Sequence, residues 1–238
     1  LELNKSNLIQ NEVNEYGGVY RLLNEFNVLW ILPTGRVIKN KIDLSSIKNE
    51  STVDALIIQS KDKKTSFISS QIFPIPYVDF FVVNEIDSSI KEKAILHIMY
   101  AEYFRNQEVI NLNNYTYISV DFAGLQLSID KSDIRRWIEK TDIAFCSDHD
   151  EWASEDFLLS LKKGLIIKHY PSKVEIFFDG DKFTYINNYF KENYKSFVGA
   201  GDFFALSILS QISCIENLLV KPEKLLDNIF MNIRKSLF

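Results

Sequence analysis

Glycine and cysteine are both scarce in this chain. It has 8 glycines in 238 residues, well below the ~7% that is usual for globular chains. The two cysteines, Cys146 and Cys214, stand among apolar residues, so we expect buried free thiols and no disulfide framework. Because glycine is so rare, a place where two glycines occur close together is informative.

An excess of basic charge and a long apolar run are also missing. The formal net charge is −5, which gives no basic footprint for nucleic acid. No run approaches the ~18 apolar residues of a membrane span, and no signal-peptide pattern follows Leu1. We therefore expect a cytoplasmic protein with neither a nucleic-acid nor a membrane partner. The hydrophobic fraction of 46% and the charged fraction of 25% are ordinary for a globular domain.

Apolar runs of strand length alternate with helical patterns along the chain. This alternation predicts an α/β domain with a mostly parallel sheet. Hairpins are predicted where 55–58 meets 65–68 and where 165–168 meets 174–178. Ser132 is the predicted cap of one helix, and Gly164 is predicted to close another that spans 154–162. Further strands are predicted at 27–32, 94–99, 115–120, 142–146 and 183–186, and further helices at 18–26, 201–213 and 222–236.

The rare glycines come together in Gly199-Ala200-Gly201-Asp202, just before the apolar run 203–209. Small residues at a loop-to-helix junction let backbone N–H groups approach a ligand, and the helix N-terminus adds positive potential. An aspartate there is poorly placed to bind an anion but well placed to accept a proton from a nucleophile that attacks one. The pattern therefore indicates phosphoryl transfer. The structural alternative is a plain helix N-terminus, with small residues for packing and an early-turn acidic residue favoured by the helix dipole.

The segment 198–204 resembles the C-terminal signature of the ribokinase-like (PfkB) carbohydrate kinases, which commonly reads Asp-Thr-(Thr/Val)-Gly-Ala-Gly-Asp-x-Phe. The resemblance implies a single ribokinase-like α/β domain over 1–238, a three-layer sandwich with a mostly parallel central sheet. It implies that Asp202 is the catalytic base and that Gly199, Ala200 and Gly201 form the anion hole. The implied reaction moves the γ-phosphoryl group of ATP, with Mg²⁺, to a hydroxyl of a sugar or nucleoside-like acceptor.

Weaker matches extend the resemblance over most of the chain. Gly17-Gly18, between Tyr16 and Val19, is similar to the early Gly-Gly of the family, which implies that these two glycines line the acceptor pocket. The hairpin within about 54–70 resembles the family's β lid, through which some members form homodimers. The stretch 165–178, followed by Asp179-Gly180, resembles the strand pair before the signature.

Several family motifs differ in this chain. Leu22 stands where an Asn follows the Gly-Gly, and Ser196-Phe197 replaces the Asp-Thr. The family's Asn-x-x-Glu motif, which lies near the magnesium, is matched here by the segment 147–150. Asp150 takes the Glu position and is our candidate metal ligand. The stretch 168–173 stands where the family's Thr-x-Gly-x-x-Gly motif would meet the nucleotide. Lys168 is the candidate nucleotide-binding residue there. The alternative explanation is that Lys168 is an ordinary lysine at a strand edge.

Other polar residues have a structural explanation. The acidic residues of 148–156 fit a solvated loop that runs into a helix, and His97 fits a core histidine. We predict that His149 and His169 lie in loops. Two other functions stay open: an inactive relative that binds a nucleotide or sugar in a regulatory role, and a metabolite-binding α/β domain that contains Gly-Ala-Gly-Asp by chance.

Overall fold

The computed structural model describes residues 29–31, 37–39, 55–59, 65–69, 94–99, 115–122, 130–189, 200–211, 218–219 and 222–236. The sequence predictions for the helix at 18–26, for Gly17, Gly18 and Gly199, and for Cys214 lie outside these ranges. Within them, none of the helices is long and apolar enough to cross a membrane.

Two antiparallel strand pairs occur in the first third of the chain. Strand β1 (Leu29–Ile31) pairs with β2 (Val37–Lys39), and β3 (Ala55–Gln59) pairs with β4 (Thr65–Ser69). The β3–β4 pair is the hairpin that the sequence predicts around its lysine-rich turn. Its roles as a lid and as a dimer contact stay predictions.

The main sheet has six strands in the order β10-β9-β8-β7-β6-β5. Strands β5 to β8 run parallel, whereas β8–β9 and β9–β10 are antiparallel. This arrangement confirms the predicted α/β character and mostly parallel sheet. The strands are β5 (Ile95–Met99), β6 (Tyr117–Asp121), β7 (Ile143–Ser147), β8 (Leu165–His169), β9 (Lys173–Phe178) and β10 (Asp181–Ile186).

Four helices accompany this sheet within the described ranges. Helix α1 (Lys131–Lys140) connects β6 to β7, and α2 (Glu155–Leu159) connects β7 to β8. Both belong to crossovers, because parallel neighbours cannot be joined by a tight turn. Helices α3 (Ala200–Gln211) and α4 (Pro222–Ser236) follow the last strand and pack against each other.

The sheet is covered by buried apolar residues on both faces. Side chains alternate along each strand, so neighbouring residues enter different clusters. On one face Val120, Ala144 and Ile166 pack with residues of α1 and α2. On the other face Phe145 and Ile167 pack with residues of α3 and α4. The start of α3 therefore belongs to the second face.

Three local predictions are corrected by the structure. The cap of α1 is Asp130 and not Ser132, because the Asp130 carboxylate accepts a hydrogen bond from the Ser132 N–H at 2.9 Å. Helix α2 ends at Leu159, so Gly164 does not close it. Gly164 instead has a φ of +76° in the approach to β8, where an added Cβ would lie 3.2 Å from the Ile138 carbonyl oxygen. His169 is the last residue of β8 and not a loop residue, because it pairs with both Ser147 and Val174.

Candidate functional site

The first turn of α3 consists of Ala200, Gly201 and Asp202, which are three of the four signature residues. The first N–H groups of a helix have no acceptor inside the helix, and the helix dipole makes this end positive. This end of α3 is therefore suited to a phosphate. Gly199, the remaining member of the predicted anion hole, lies outside the described residues, as do Gly17 and Gly18.

Asp202 is partly buried. Burial raises the pKa of its carboxyl from 3.8 to about 6, because a charged group loses solvation when water is excluded. A carboxylate with a pKa in this range is a better proton acceptor than an ordinary aspartate and is still ionised at neutral pH. Both properties are those of a general base.

His169 lies directly against this turn. A Cβ atom added to Gly201 would lie 3.1 Å from His169 Cε1 and 3.2 Å from Nε2. The imidazole also contacts Phe204 of α3, with ring centroids 5.7 Å apart. Burial lowers the pKa of His169 to about 4, and although nearby Asp148 opposes this shift, the imidazole is neutral at pH 7.

The turn after β7 borders His169. The Asp148 N–H donates to the His169 carbonyl at 3.2 Å. Two residues on, Asp150 is buried, and its Oδ2 accepts hydrogen bonds from the backbone N–H of Ser147 at 2.5 Å and from the Ser147 hydroxyl at 3.1 Å. The structure thus brings the end of β7, the end of β8 and the start of α3 together at the carboxyl edge of the parallel strands, where open α/β sheets bind ligands.

Asp150 offers the oxygen chemistry that Mg²⁺ prefers. Mg²⁺ keeps several of its waters and needs only one or two carboxylates, so a single buried aspartate fits a hydrated ion. The described residues contain no group of three or more candidate ligand side chains, so a fully protein-ligated metal does not fit this part of the chain. The metal role of Asp150 stays a prediction.

Lys168 is not directed towards Asp202. Its ammonium donates to the Ala153 carbonyl at 2.7 Å and lies 5.5 Å from the centroid of the Tyr170 ring. Ala153 belongs to the cluster on the α1–α2 face, whereas α3 packs on the opposite face. The structure therefore does not bring Lys168 and Asp202 together, and the nucleotide-binding role of Lys168 stays a prediction.

The acidic stretch 148–156 is mostly solvated, as its structural interpretation expects. Asp150 is its one buried acidic residue. Glu155 forms an ion pair with Lys182 at 2.7 Å, and Asp148 lies 3.6 Å from the His149 ring. These carboxylates point to different partners instead of converging.

His97 is a core residue, as predicted. Its Nδ1 lies 2.7 Å from the Ser119 hydroxyl, and its ring meets Phe145 edge-on. Burial lowers its pKa to about 4. Its Nε2 has no hydrogen-bond partner in the described part of the structure. Cys146 is buried and free, and burial together with nearby Asp150 raises its pKa well above the ordinary value, so it is an inert thiol.

His169 is the residue of this site that sequence reasoning missed. The available signal was the alternation in β8. Leu165 and Ile167 occupy the same face as His169, and both belong to the cluster that packs under α3 and α4. A polar residue that continues such a row past the last buried apolar position is expected at the carboxyl edge of the sheet.

No protein-family model and no curated protein matches this chain. The geometry around α3 and the resemblance of the Gly-Ala-Gly-Asp segment are therefore the two features of this chain that bear on function.

Proposed function

We propose that this protein is a divergent ribokinase-like carbohydrate kinase, which transfers the γ-phosphoryl group of ATP to a hydroxyl of a sugar or sugar-like metabolite. The observation that supports this most directly is Asp202, a partly buried aspartate with a pKa of about 6 in the first turn of α3. It follows directly on two small residues, Ala200 and Gly201. The proposal includes the three-layer ribokinase-like architecture.

In this proposal the two features of the turn have separate tasks. The N–H groups at the start of α3 stabilise negative charge that spreads over the phosphoryl oxygens in the transition state. The Asp202 carboxylate accepts the proton of the acceptor hydroxyl as its oxygen attacks phosphorus. Asp150 would hold Mg²⁺, which when bound would supply further charge neutralisation at the phosphates.

The test of the base is Asp202→Asn in an ADP-release assay with ATP, Mg²⁺ and a panel of sugars, sugar phosphates and nucleosides. We expect turnover to fall by about 10²–10⁴-fold, the range for loss of a general base. The matched control is Asp156→Asn, which changes an exposed acidic residue of α2 and should leave the rate unchanged. An Asp202→Asn variant as active as the parent would contradict the assignment.

The pH dependence of the same reaction gives an independent prediction. Only the ionised form of Asp202 accepts a proton, so kcat/KM should fall about tenfold per pH unit below about 6 and be level above it. Initial rates measured between pH 4.5 and 8 check this. A profile that is flat across pH 6 would mean that Asp202 is not the base.

A second candidate function is a kinase-fold protein that binds a nucleotide or sugar without turnover. The observation in its favour is Lys168, whose ammonium is bound to the Ala153 carbonyl on the face opposite α3. In this case ATP should raise the melting temperature while no acceptor in the panel supports ADP release. Turnover with any acceptor would exclude it.

A further inference from the structure

Gly201 needs an explanation other than backbone conformation. It lies in the first turn of α3, and the glycines with positive φ within the described residues are Gly164 and Gly180. A glycine with ordinary helical angles is disfavoured relative to alanine. Two reasons could favour it here: close approach of a ligand to the backbone, or close approach of a side chain.

The distances favour a side chain. An added Cβ at Gly201 would lie 3.1–3.2 Å from two ring atoms of His169, which is closer than ordinary van der Waals contact. The imidazole could yield only by a shift of its own ring, since its backbone is fixed by pairing on both sides, to Ser147 in β7 and Val174 in β9. The His169 ring also contacts Phe204, a buried residue of α3.

The surroundings keep this imidazole neutral. Burial is the larger cause of its low pKa, and of the nearby charges Asp148 favours the cation while His149 disfavours it. A cation at the N-terminus of a helix is also disfavoured by the dipole. The His169 ring is therefore neutral and planar, it belongs to a residue whose backbone is fixed, and it lies between β8 and α3.

We propose that His169 is a positioning residue, whose imidazole packs against Gly201 and fixes how closely the first turn of α3, and Asp202 with it, lies against the end of β8. The contact itself is independent of any activity. Its catalytic consequence rests on the proposed function, in which Asp202 is the base.

The contact is tested by a double-mutant cycle of Gly201→Ala and His169→Ala, read as melting temperature without substrate. With His169 present, Gly201→Ala should lower the melting temperature by about 2 °C or more, because the new methyl overpacks the contact by more than alanine gains as a helix former. In the His169→Ala background the same change should be neutral or stabilising, because alanine is the better helix former. An equal effect in both backgrounds would overturn the proposal.

The positioning role is tested by following the titration of Asp202 by carbon-detected NMR of its carboxyl group. In His169→Ala, and more weakly in the conservative His169→Asn, the loosened turn admits water, so the Asp202 midpoint should fall by about half a unit or more towards its ordinary value. A midpoint that stays at the parent value would show that His169 is only a packing residue and overturn the role. His149→Asn, at an exposed neighbour, is the control.

Activity then separates this inference from the proposed function. If the parent transfers phosphoryl groups, His169→Ala should lower kcat by about tenfold or more with little change in the KM for ATP. A raised KM with unchanged kcat would contradict positioning of the base. If the parent shows no turnover with any acceptor, the kinase proposal fails, while the melting-temperature cycle and the Asp202 titration still decide the role of His169.

Discussion

Asp202 is costly to ionise in the folded chain. Its pKa rises from 3.8 to about 6 on burial, and each unit is equivalent to ~1.4 kcal/mol, so the ionised form is less stable by up to ~3 kcal/mol. The folded state binds this proton more tightly than the unfolded chain does. The contribution of Asp202 to stability therefore falls as the pH rises from about 4 to about 6, and above that it stays unfavourable.

At the residue scale we therefore predict that Asp202→Asn stabilises the protein while it lowers turnover. The gain should be near zero at pH 4 and rise to as much as ~3 kcal/mol at pH 7. Urea unfolding at pH 4, 5, 6 and 7 measures it, and Asp156→Asn is again the control. An Asp202→Asn variant less stable than the parent at pH 7 would show that the carboxylate has a stabilising partner.

At the scale of elements, the β8–β9 hairpin is held by one buried carboxylate. Glu175 accepts hydrogen bonds from the Tyr170 hydroxyl at 2.7 Å and from the Lys173 ammonium at 2.6 Å. Burial alone would raise the Glu175 pKa, but these two bonds and the charges of Lys173 and Lys182 together outweigh it and lower the pKa. Burial, together with the hydrogen bond to Glu175, raises the pKa of Tyr170 above its ordinary value. A side-chain clamp formed by Tyr170, Lys173 and Glu175 thus stabilises the β8–β9 hairpin.

We predict that Tyr170→Phe destabilises the protein by about 1.5 kcal/mol, the lower end for loss of a hydrogen bond to a charged group, because Lys173 still pairs with Glu175. Denaturant unfolding at pH 7 measures the change. The matched control is Tyr185→Phe in β10, whose hydroxyl makes no hydrogen bond within the described residues, and it should change stability by less than about 0.5 kcal/mol. Equal effects of the two variants would show that the clamp is not stabilising.

At the scale of the whole molecule, two partly buried neutral histidines make the fold sensitive to acid. Burial lowers the pKa of both His97 and His169 from 6.5 to about 4. The unfolded chain takes up these protons first, so the stability that each contributes is complete above pH 6.5 and is lost as the pH falls to about 4. Each accounts for up to ~3 kcal/mol over that interval. Asp202 changes the stability in the opposite direction between about pH 4 and pH 6. The loss of stability from the two histidines on acidification is therefore opposed by the gain from one aspartate.

We therefore predict a net loss of stability between pH 6.5 and 4 that is smaller in His97→Gln than in the parent. Glutamine removes the titrating group and retains a polar atom for the Ser119 hydroxyl. Urea unfolding at pH 4, 5, 6 and 7 gives the slope, with His149→Asn at an exposed position as the control. A slope unchanged in His97→Gln would mean that His97 does not titrate on unfolding.

Local features of the sequence predicted most of the elements in the described ranges. The apolar runs at 94–99, 142–146, 165–168 and 174–178 became strands because their period and β-branched residues act locally. Helix α3 begins within one residue of its predicted start at Gly201. The errors were at boundaries. Asp130 rather than Ser132 caps α1, and α2 ends earlier than its apolar pattern predicts. In both places several neighbouring residues are suitable as the helix end, and tertiary packing selects among them.

The sequence by itself determined the α/β class and placed Asp202 with two small residues at a helix start, because periodicity, turn residues and helix signals depend on neighbours along the chain. Only the tertiary structure decided the remaining properties of the site. The contact of His169 with Gly201, the pKa of Asp202 and the separation of Lys168 from α3 all depend on which face of the sheet α3 covers. Burial and contact are properties of residues distant in sequence, and no local pattern encodes them.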